Sequence, residues 1–383
     1  MPVKRSVLFG SLVAEGSRYQ VGQAYAAQLR QNPLLRQINL LPEGEEVTGP
    51  ALRAKMRLLE AAIPGLGEEI AGTSEALGIR PGRLAIFSDR CCQPGRCSQI
   101  AALPAITRDG HLYLARSYEY GFADELCLCV TRAAGSPAQA GFSLLLFGRM
   151  DGMNDRGLCV TMSTCSFLQP AEGEGLWFPV VLRALLERCA TVAEASDLLA
   201  QLPLRTNDVF LLADRSGRAR VAEMASVGGA HRLSFRDSER WLVATNHYQN
   251  EEMRPFDNHR GRHSVRRWKI ARRALEEGAG RLDGPALKAL LERPMPDGVA
   301  CPYYQDGLGT LRSMLFNVTA GRLEVCFGAP TGAGWTPVSL QGACENRIFS
   351  VEVESRAPRD PASFWTFLPP GDEDEGDDWQ SAY

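Results

Sequence analysis

Short apolar stretches separated by turn signals constrain this chain's fold more than any other feature. Residues 112–116, 127–131, 142–147 and 158–163 read as strands. Asp109-Gly110, Gly135-Ser136-Pro137 and Asn154-Asp155-Arg156-Gly157 divide them, as in an antiparallel meander. A hairpin follows around Asp214-Arg215-Ser216-Gly217, with strands at 209–213 and 219–224, and further strands are expected at 241–245, 313–318 and 322–327. Helical spacing occupies the remainder. After a short first strand, a helix over 17–31 buries Tyr19, Val21, Tyr25, Ala26 and Leu29. A second helical region, 51–77, divides at Pro64-Gly65, with Pro64 suited to the first turn of its second half, and ends at Gly78. One long helix is expected over 179–199, and two more over 264–275 and 284–291. Antiparallel strands grouped between helix pairs predict an α+β fold with stacked sheets inside and helices outside.

Composition narrows the function. At 383 residues, with 45% hydrophobic and 23% charged residues, one main soluble domain is expected, and a net charge of -3 gives no footprint for nucleic acid. The first apolar run is broken by Gly10 and Glu15, so no signal peptide is read, and no stretch approaches a membrane span; a cytoplasmic location with no membrane partner is the default. The eleven cysteines are odd in number and scattered, with no C-x-x-C pair, which removes zinc-ribbon and thioredoxin-like readings. His247, His259 and His263 do not cluster with carboxylates at ligand spacing, and Gly173-Glu174-Gly175 lacks the third glycine of a dinucleotide loop. No metal and no redox cofactor are expected. The stretch 369–383, rich in Asp and Glu, reads as a disordered acidic tail.

One cysteine stands apart. Cys97 follows a helical leader and the Pro94-Gly95-Arg96 loop, and strand-rich sequence begins there. Gly95-x-Cys97-Ser98, then Ala101-Ala102-Leu103-Pro104, Asp109-Gly110 and Arg116-x-x-Glu119, resembles the start of the mature subunit in the acyl-coenzyme A:6-aminopenicillanic acid acyltransferase family. That family is similar in turn to choloylglycine hydrolases and penicillin V acylases, all N-terminal nucleophile (Ntn) hydrolases. Tyr19-Gln20-Val21-Gly22-Gln23-Ala24-Tyr25 resembles the family's early glycine-containing helix.

The resemblance implies an αββα four-layer sandwich and a precursor that cuts itself before Cys97. Residues 1–96 would then form an α chain that stays bound to a β chain of residues 97–368, as an αβ heterodimer. Cys97 would carry both the nucleophilic thiol and a free α-amino group, whose ordinary pKa of about 7.7 to 8.0 suits proton transfer. Arg116 would support the thiolate, and Glu119, standing for the family's aspartate, would hold the α-amino group. Thr245-Asn246-His247 resembles the segment whose asparagine points its amide N–H at the oxyanion, and Thr164 falls where the family places another oxyanion contributor, here through its backbone N–H. The segment 263–271 resembles a helix start bearing a second arginine, best matched by Arg267, with Arg266 one residue away. Arg96 stands where the family usually has a small residue.

The expected substrate is a small acyl amide or acyl thioester, with acyl-coenzyme A as an admissible co-substrate and water or an amine as acceptor. Tyr118, Tyr120, Phe122, Phe167, Trp177 and Phe178 are candidates for an acyl pocket and equally for core. Three alternatives stand beside this reading: a plain N-acyl amide hydrolase, a papain-like thiol enzyme that never cuts itself, and a non-catalytic binding protein on the same scaffold.

Overall fold

The computed structural model describes residues 2–88, 96–165, 171–228, 230–257, 260–328, 334–342, 344–358 and 365–368. Cys91, Cys92, Pro94, Gly95, Phe167, His259 and the tail 369–383 lie outside the described residues.

The N-terminal part contributes β1 (Val3–Gly16), α1 (Arg18–Gln31), α2 (Pro33–Asn39), α3 (Gly49–Ala62) and α4 (Leu66–Leu77). β1 is a strand of 14 residues rather than a short one. Ser17 then starts α1 through a reciprocal capping box with Gln20. A Cβ on Gly22 of α1 would fall 2.1 Å from the Glu69 carbonyl oxygen, and one on Gly72 of α4 would fall 2.2 Å from that of Tyr19. Only hydrogen fits at either place, so the early glycine is a packing requirement of the α1–α4 contact. Pro64 precedes α4, whose N-cap is Gly65, instead of sitting in its first turn.

Then come β2 (Arg96–Ala102), β3 (Tyr113–Tyr120), β4 (Glu125–Ala133), β5 (Gln139–Phe142), β6 (Asp151–Asn154) and β7 (Cys159–Thr164). The expected single helix over 179–199 is two, α5 (Phe178–Arg188) and α6 (Val192–Gln201). The break has a local cause: the Thr191 side chain accepts from the Glu194 N–H and caps a fresh helix. β8 (Asp208–Ala213), β9 (Ala219–Val227), β10 (Ala230–Asp237) and β11 (Trp241–Ala244) precede α7 (Arg262–Glu277) and α8 (Gly284–Glu292). β12 (Pro302–Tyr303), β13 (Leu308–Asn317), β14 (Arg322–Phe327), β15 (Trp335–Val338) and β16 (Arg347–Ser355) complete the described strands.

These strands form two sheets. One has the order β10-β9-β8-β7-β6-β5-β4-β1-β16; the other runs β11-β2-β3-β13-β14-β15, with β12 beside β13. Of the four strands expected as a meander, three fall in the first sheet as β4, β5 and β7, with β6, which the sequence did not announce, inserted between β5 and β7; the fourth, β3, belongs to the second sheet, so the strands at 113–120 and 125–133 are not partners. Residues 143–147 leave the strand: the Ser143 hydroxyl turns back to the Gly148 carbonyl at 2.9 Å. The β1–β4 pair is parallel, as a connection containing four helices and two strands allows.

Helices α1, α5 and α6 cover the outer face of the first sheet, with α2 and α4 packed on α1 and α3 on α4 and α5, and α7 and α8 cover the second, giving four layers, αββα, in an α+β fold. The second sheet divides the interior by strand alternation. Cys97, Ala101, Leu114 and Tyr118 face the first sheet, whereas Ile100, Ala102, Tyr113 and Ala115 face α7 and α8. Gln99 spans the gap between sheets, donating to Ser163 Oγ at 2.9 Å and accepting from Thr161 Oγ1 at 2.6 Å. Among the described residues, no helix is long and apolar enough to cross a membrane.

Candidate active site

Cys97 sits at the start of β2 and is 1% exposed. In the β2–β3 ladder Cys97 lies opposite Tyr118, Gln99 opposite Arg116, and Arg96 opposite Glu119. Arg116 and Glu119 are three residues apart on one strand, so they project to opposite faces and cannot both touch one sulfur.

Arg116 shares the inter-sheet face with Cys97, and its Nη2 lies 3.5 Å from Sγ. The rest of its guanidinium is fixed: Nε donates to Asp151 Oδ2 at 2.7 Å, and Nη1 donates to the Met162 carbonyl. Arg312 donates to the same Asp151 oxygen at 3.2 Å and pairs with Glu125, while its guanidinium lies 4.0 Å from the ring centres of Tyr118 and Phe142. Burial pushes the Cys97 thiol above its ordinary pKa, and the charge of Arg116 opposes that rise.

Glu119 lies on the other face, toward α7. There Arg267 donates to Ser98 Oγ at 2.9 Å and to the Cys97 carbonyl oxygen, and approaches Glu119 Oε2 at 3.5 Å. Arg267, not Arg266, is the arginine that meets Cys97. Consecutive helical residues point roughly 100° apart, and His263, one turn earlier on the Arg267 face, lies with Nδ1 3.2 Å from Arg267 Nη2. Burial, reinforced by Arg267, holds His263 well below the ordinary imidazole pKa, so it is neutral. Burial also raises the Glu119 carboxyl against the pull of Arg267. Glu119 Oε1 has no hydrogen-bond partner among the described residues.

Asn246 closes the arrangement just beyond β11. Its Oδ1 accepts the Cys97 backbone N–H at 2.9 Å and an Arg267 N–H at 2.9 Å, and its Nδ2 donates to the Thr164 carbonyl at 2.9 Å. Two donors on the oxygen and a carbonyl on the nitrogen fix this orientation. Asn246 is therefore an acceptor for the Cys97 nitrogen in the uncut chain, and its Nδ2 carries a second N–H besides the one given to Thr164. Thr164 meets Asn246 through its carbonyl oxygen. His247 bonds Ser264 Oγ at 2.8 Å and Thr245 Oγ1 at 3.1 Å, which orders the loop around Asn246.

Cys97, Arg116, Glu119, Thr164, Asn246 and Arg267 thus converge from β2, β3, β7, the turn after β11, and α7. Asp151, Arg312 and Glu125 were not among the expected site residues. A sequence signal existed for two of them: Arg312 interrupts the apolar run Leu311 to Phe316, and Asp151 stands in the stretch that leads into the Asn154-Asp155-Arg156-Gly157 turn. A charge inside a buried strand needs a partner, so each implied the other. Among the expected aromatic residues, Phe178 is core and Tyr118 is buried under Arg312. Tyr120 stacks on Tyr118, Phe122 stacks on Tyr304, and Trp177 is half-buried against Phe178. Among the described residues, no three His, Cys, Asp or Glu side chains gather as metal ligands.

One wall residue gives a pH test. Asp208 pairs with Thr164 across the β7–β8 ladder, and burial pushes its carboxyl from 3.8 to about 7, against the hydrogen bond of Thr206. Between those values the folded chain holds a proton that the unfolded chain has lost. This residue's contribution to stability is therefore greatest below its unfolded value and falls as pH rises toward 7. Asp208→Asn should flatten that decline, gaining on the parent in urea unfolding at pH 8 compared with pH 4. A parent-like pH profile would show that Asp208 is ionised in the fold.

Residues 107–331 match the family of acyl-coenzyme A:6-aminopenicillanic acid acyl-transferase. The match includes Arg116, Glu119, Thr164, Asn246 and Arg267 and begins beyond Cys97. Curated proteins give no match. Among solved structures, the chain is similar to a mutant of conjugated bile acid hydrolase from Clostridium perfringens, with 12% identity and a TM-score of 0.43 over 67% of this chain and 96% of that one. It is similar to penicillin V acylase from Agrobacterium tumefaciens, with 14% identity and a TM-score of 0.41 over 60% of this chain and 83% of that one. The Caenorhabditis elegans ortholog of N-acylethanolamine-hydrolyzing acid amidase gives 17% identity and a TM-score of 0.38 over 58% and 93%.

Proposed function

Since the chain belongs to the acyl-coenzyme A:6-aminopenicillanic acid acyl-transferase family, we propose that it is an Ntn-type acyltransferase or amidohydrolase that cuts itself before Cys97 and works through an acyl-Cys97 thioester. The observation that carries this reading is the treatment of one residue at two atoms. Asn246 Oδ1 receives the Cys97 backbone nitrogen at 2.9 Å, while Arg116 stands 3.5 Å from the sulfur. A structural thiol needs neither.

In self-cleavage the Cys97 sulfur attacks the Arg96 carbonyl carbon. The Arg96–Cys97 C–N bond breaks, and the thiol proton passes to the departing nitrogen. Water then hydrolyses the thioester, leaving a carboxylate on Arg96 and a free thiol on Cys97. The new α-ammonium group lies beside the Asn246 oxygen, and Glu119, whose Oε1 has no partner among the described residues, is the carboxylate assigned to balance its charge. Holding the nitrogen in this way suits its service as base and acid near neutral pH. In turnover the thiol attacks an acyl amide or acyl thioester, the amine protonates the leaving group, and water or an amine resolves acyl-Cys97. Arg116 favours the thiolate in a site where burial disfavours it.

The cut chain is expected to stay together, because β1 lies inside the first sheet, paired with β4 on one side and β16 on the other. Freshly purified protein should therefore give two bands on a denaturing gel that co-elute under native conditions, the larger beginning at Cys97 by N-terminal sequencing. A durable full-length chain with acyl-amide activity would overturn self-cleavage.

A further inference from the structure

Self-cleavage, on the reading above, makes residue 96 the protein's own acyl group: its carbonyl is the first to be joined to the Cys97 sulfur. What surrounds the Arg96 side chain in the uncut chain therefore describes the space beside the thioester. Arg96 Nη1 donates to the Gly307 carbonyl at 2.9 Å, and its guanidinium carbon lies 4.7 Å from the centre of the Trp365 ring. Glu119 lies opposite Arg96 in the ladder, so their side chains share a face. Gly307 has φ +72°, and a Cβ there would approach Arg96 Nη1 at 3.5 Å, so the turn that presents this carbonyl favours glycine.

Trp365 is held in place from α7. The Arg262 N–H donates to the Thr366 carbonyl at 3.0 Å, the Leu368 N–H donates to the Arg260 carbonyl at 2.9 Å, and the Trp365 ring meets His263 edge-on at 5.4 Å. A carbonyl oxygen and an aromatic face together complement a flat cation. Glu119, Gly307 and Trp365 all lie C-terminal to the scissile bond. Only the occupant lies before it, so cutting can free the receptor without dismantling it.

We propose that this receptor is the acyl pocket of the cut protein, and that the acyl part of its substrate ends in a planar cation, as in an arginyl or ω-guanidinoalkanoyl amide. The proposal rests on self-cleavage at Arg96-Cys97, and intact mass measured before any substrate is added separates the two. A chain that is never cut overturns both. For cut protein, the probes are the 4-nitroanilides of 5-guanidinopentanoate, of isosteric but neutral 5-ureidopentanoate, and of heptanoate. The guanidino compound should exceed the ureido compound in kcat/KM by on the order of tenfold. Trp365→Ala should bring that ratio close to one, mainly through KM. Equal rates for the guanidino and ureido compounds, or a preference for heptanoyl, would overturn the cation pocket while leaving self-cleavage standing. If cut protein hydrolyses none of the three, calorimetric titration with arginine amide and citrulline amide decides. Tighter binding of arginine amide, lost in Trp365→Ala, supports the pocket; equal or weaker binding overturns it.

Discussion

Cys97→Ala protein is expected to remain a single uncut chain with no turnover of acyl amides or acyl thioesters. In the proposed mechanism the thiol is the atom on which both reactions form their intermediate, and loss of a covalent nucleophile commonly costs on the order of 10⁴ to 10⁶ in rate. The substitution removes one sulfur from a buried position and leaves the β2 ladder intact, so circular dichroism should match that of the parent. Cys97→Ser is expected to cut slowly, because its hydroxyl keeps the geometry with a poorer nucleophile. Activity surviving in Cys97→Ala protein would remove Cys97 from the nucleophile's role, whatever the state of its chain.

Arg183→Met is expected to cost about 3 to 5 kcal/mol of stability, since it leaves buried carboxylates short of a counter-charge. Arg183 donates to Glu69 Oε1 at 2.6 Å and to Glu187 Oε1 at 2.8 Å, and Arg18 donates to the same two residues at 2.7 and 2.5 Å. Arg18 and Glu69 precede the proposed cut, and Arg183 and Glu187 follow it, so the square of charges joins the two halves under α1, α4 and α5. Burial alone would raise the Glu187 carboxyl, but the guanidinium groups of Arg183 and Arg18 hold it below its ordinary 4.5. Its stabilising contribution is thus present above that value and is lost as pH falls through the lower folded value. The measurement is the urea midpoint in a Cys97→Ala background, where the chain is continuous and subunit dissociation does not enter. A loss under about 1 kcal/mol would mean that Arg18 alone neutralises both carboxylates.

The elements that carried a periodic or punctuated pattern were legible in the sequence: α1, α7, α8, the β8–β9 hairpin and the strands β4, β5 and β7. The failures have local causes. α2 is too short to establish a period, Thr191 restarts a helix inside an apolar run, and Ser143 turns the chain where the residues remain strand-like. The six candidate site residues were legible as residue types in recognisable segments, whereas their orientations were not. The Asn246 amide turns on whether a carbonyl or a donor faces each end, and Thr164 and Cys97 supply those from distant strands.

Sequence alone determined the layered α+β class, because hydrophobic periodicity is a property of neighbouring residues. That Arg116 and Glu119 project to opposite faces followed only from β3, which continues to Tyr120 where the sequence predicts a strand ending at residue 116. Which of them meets the sulfur was decided by the β2–β3 register, in which Cys97 faces Tyr118 and Arg96 faces Glu119. The choice between Arg266 and Arg267, the burial of β1 between β4 and β16, and the seat of Arg96 against Trp365 were likewise tertiary decisions. Each depends on pairing between segments far apart in the chain, and no local pattern records which distant partner will come to lie there.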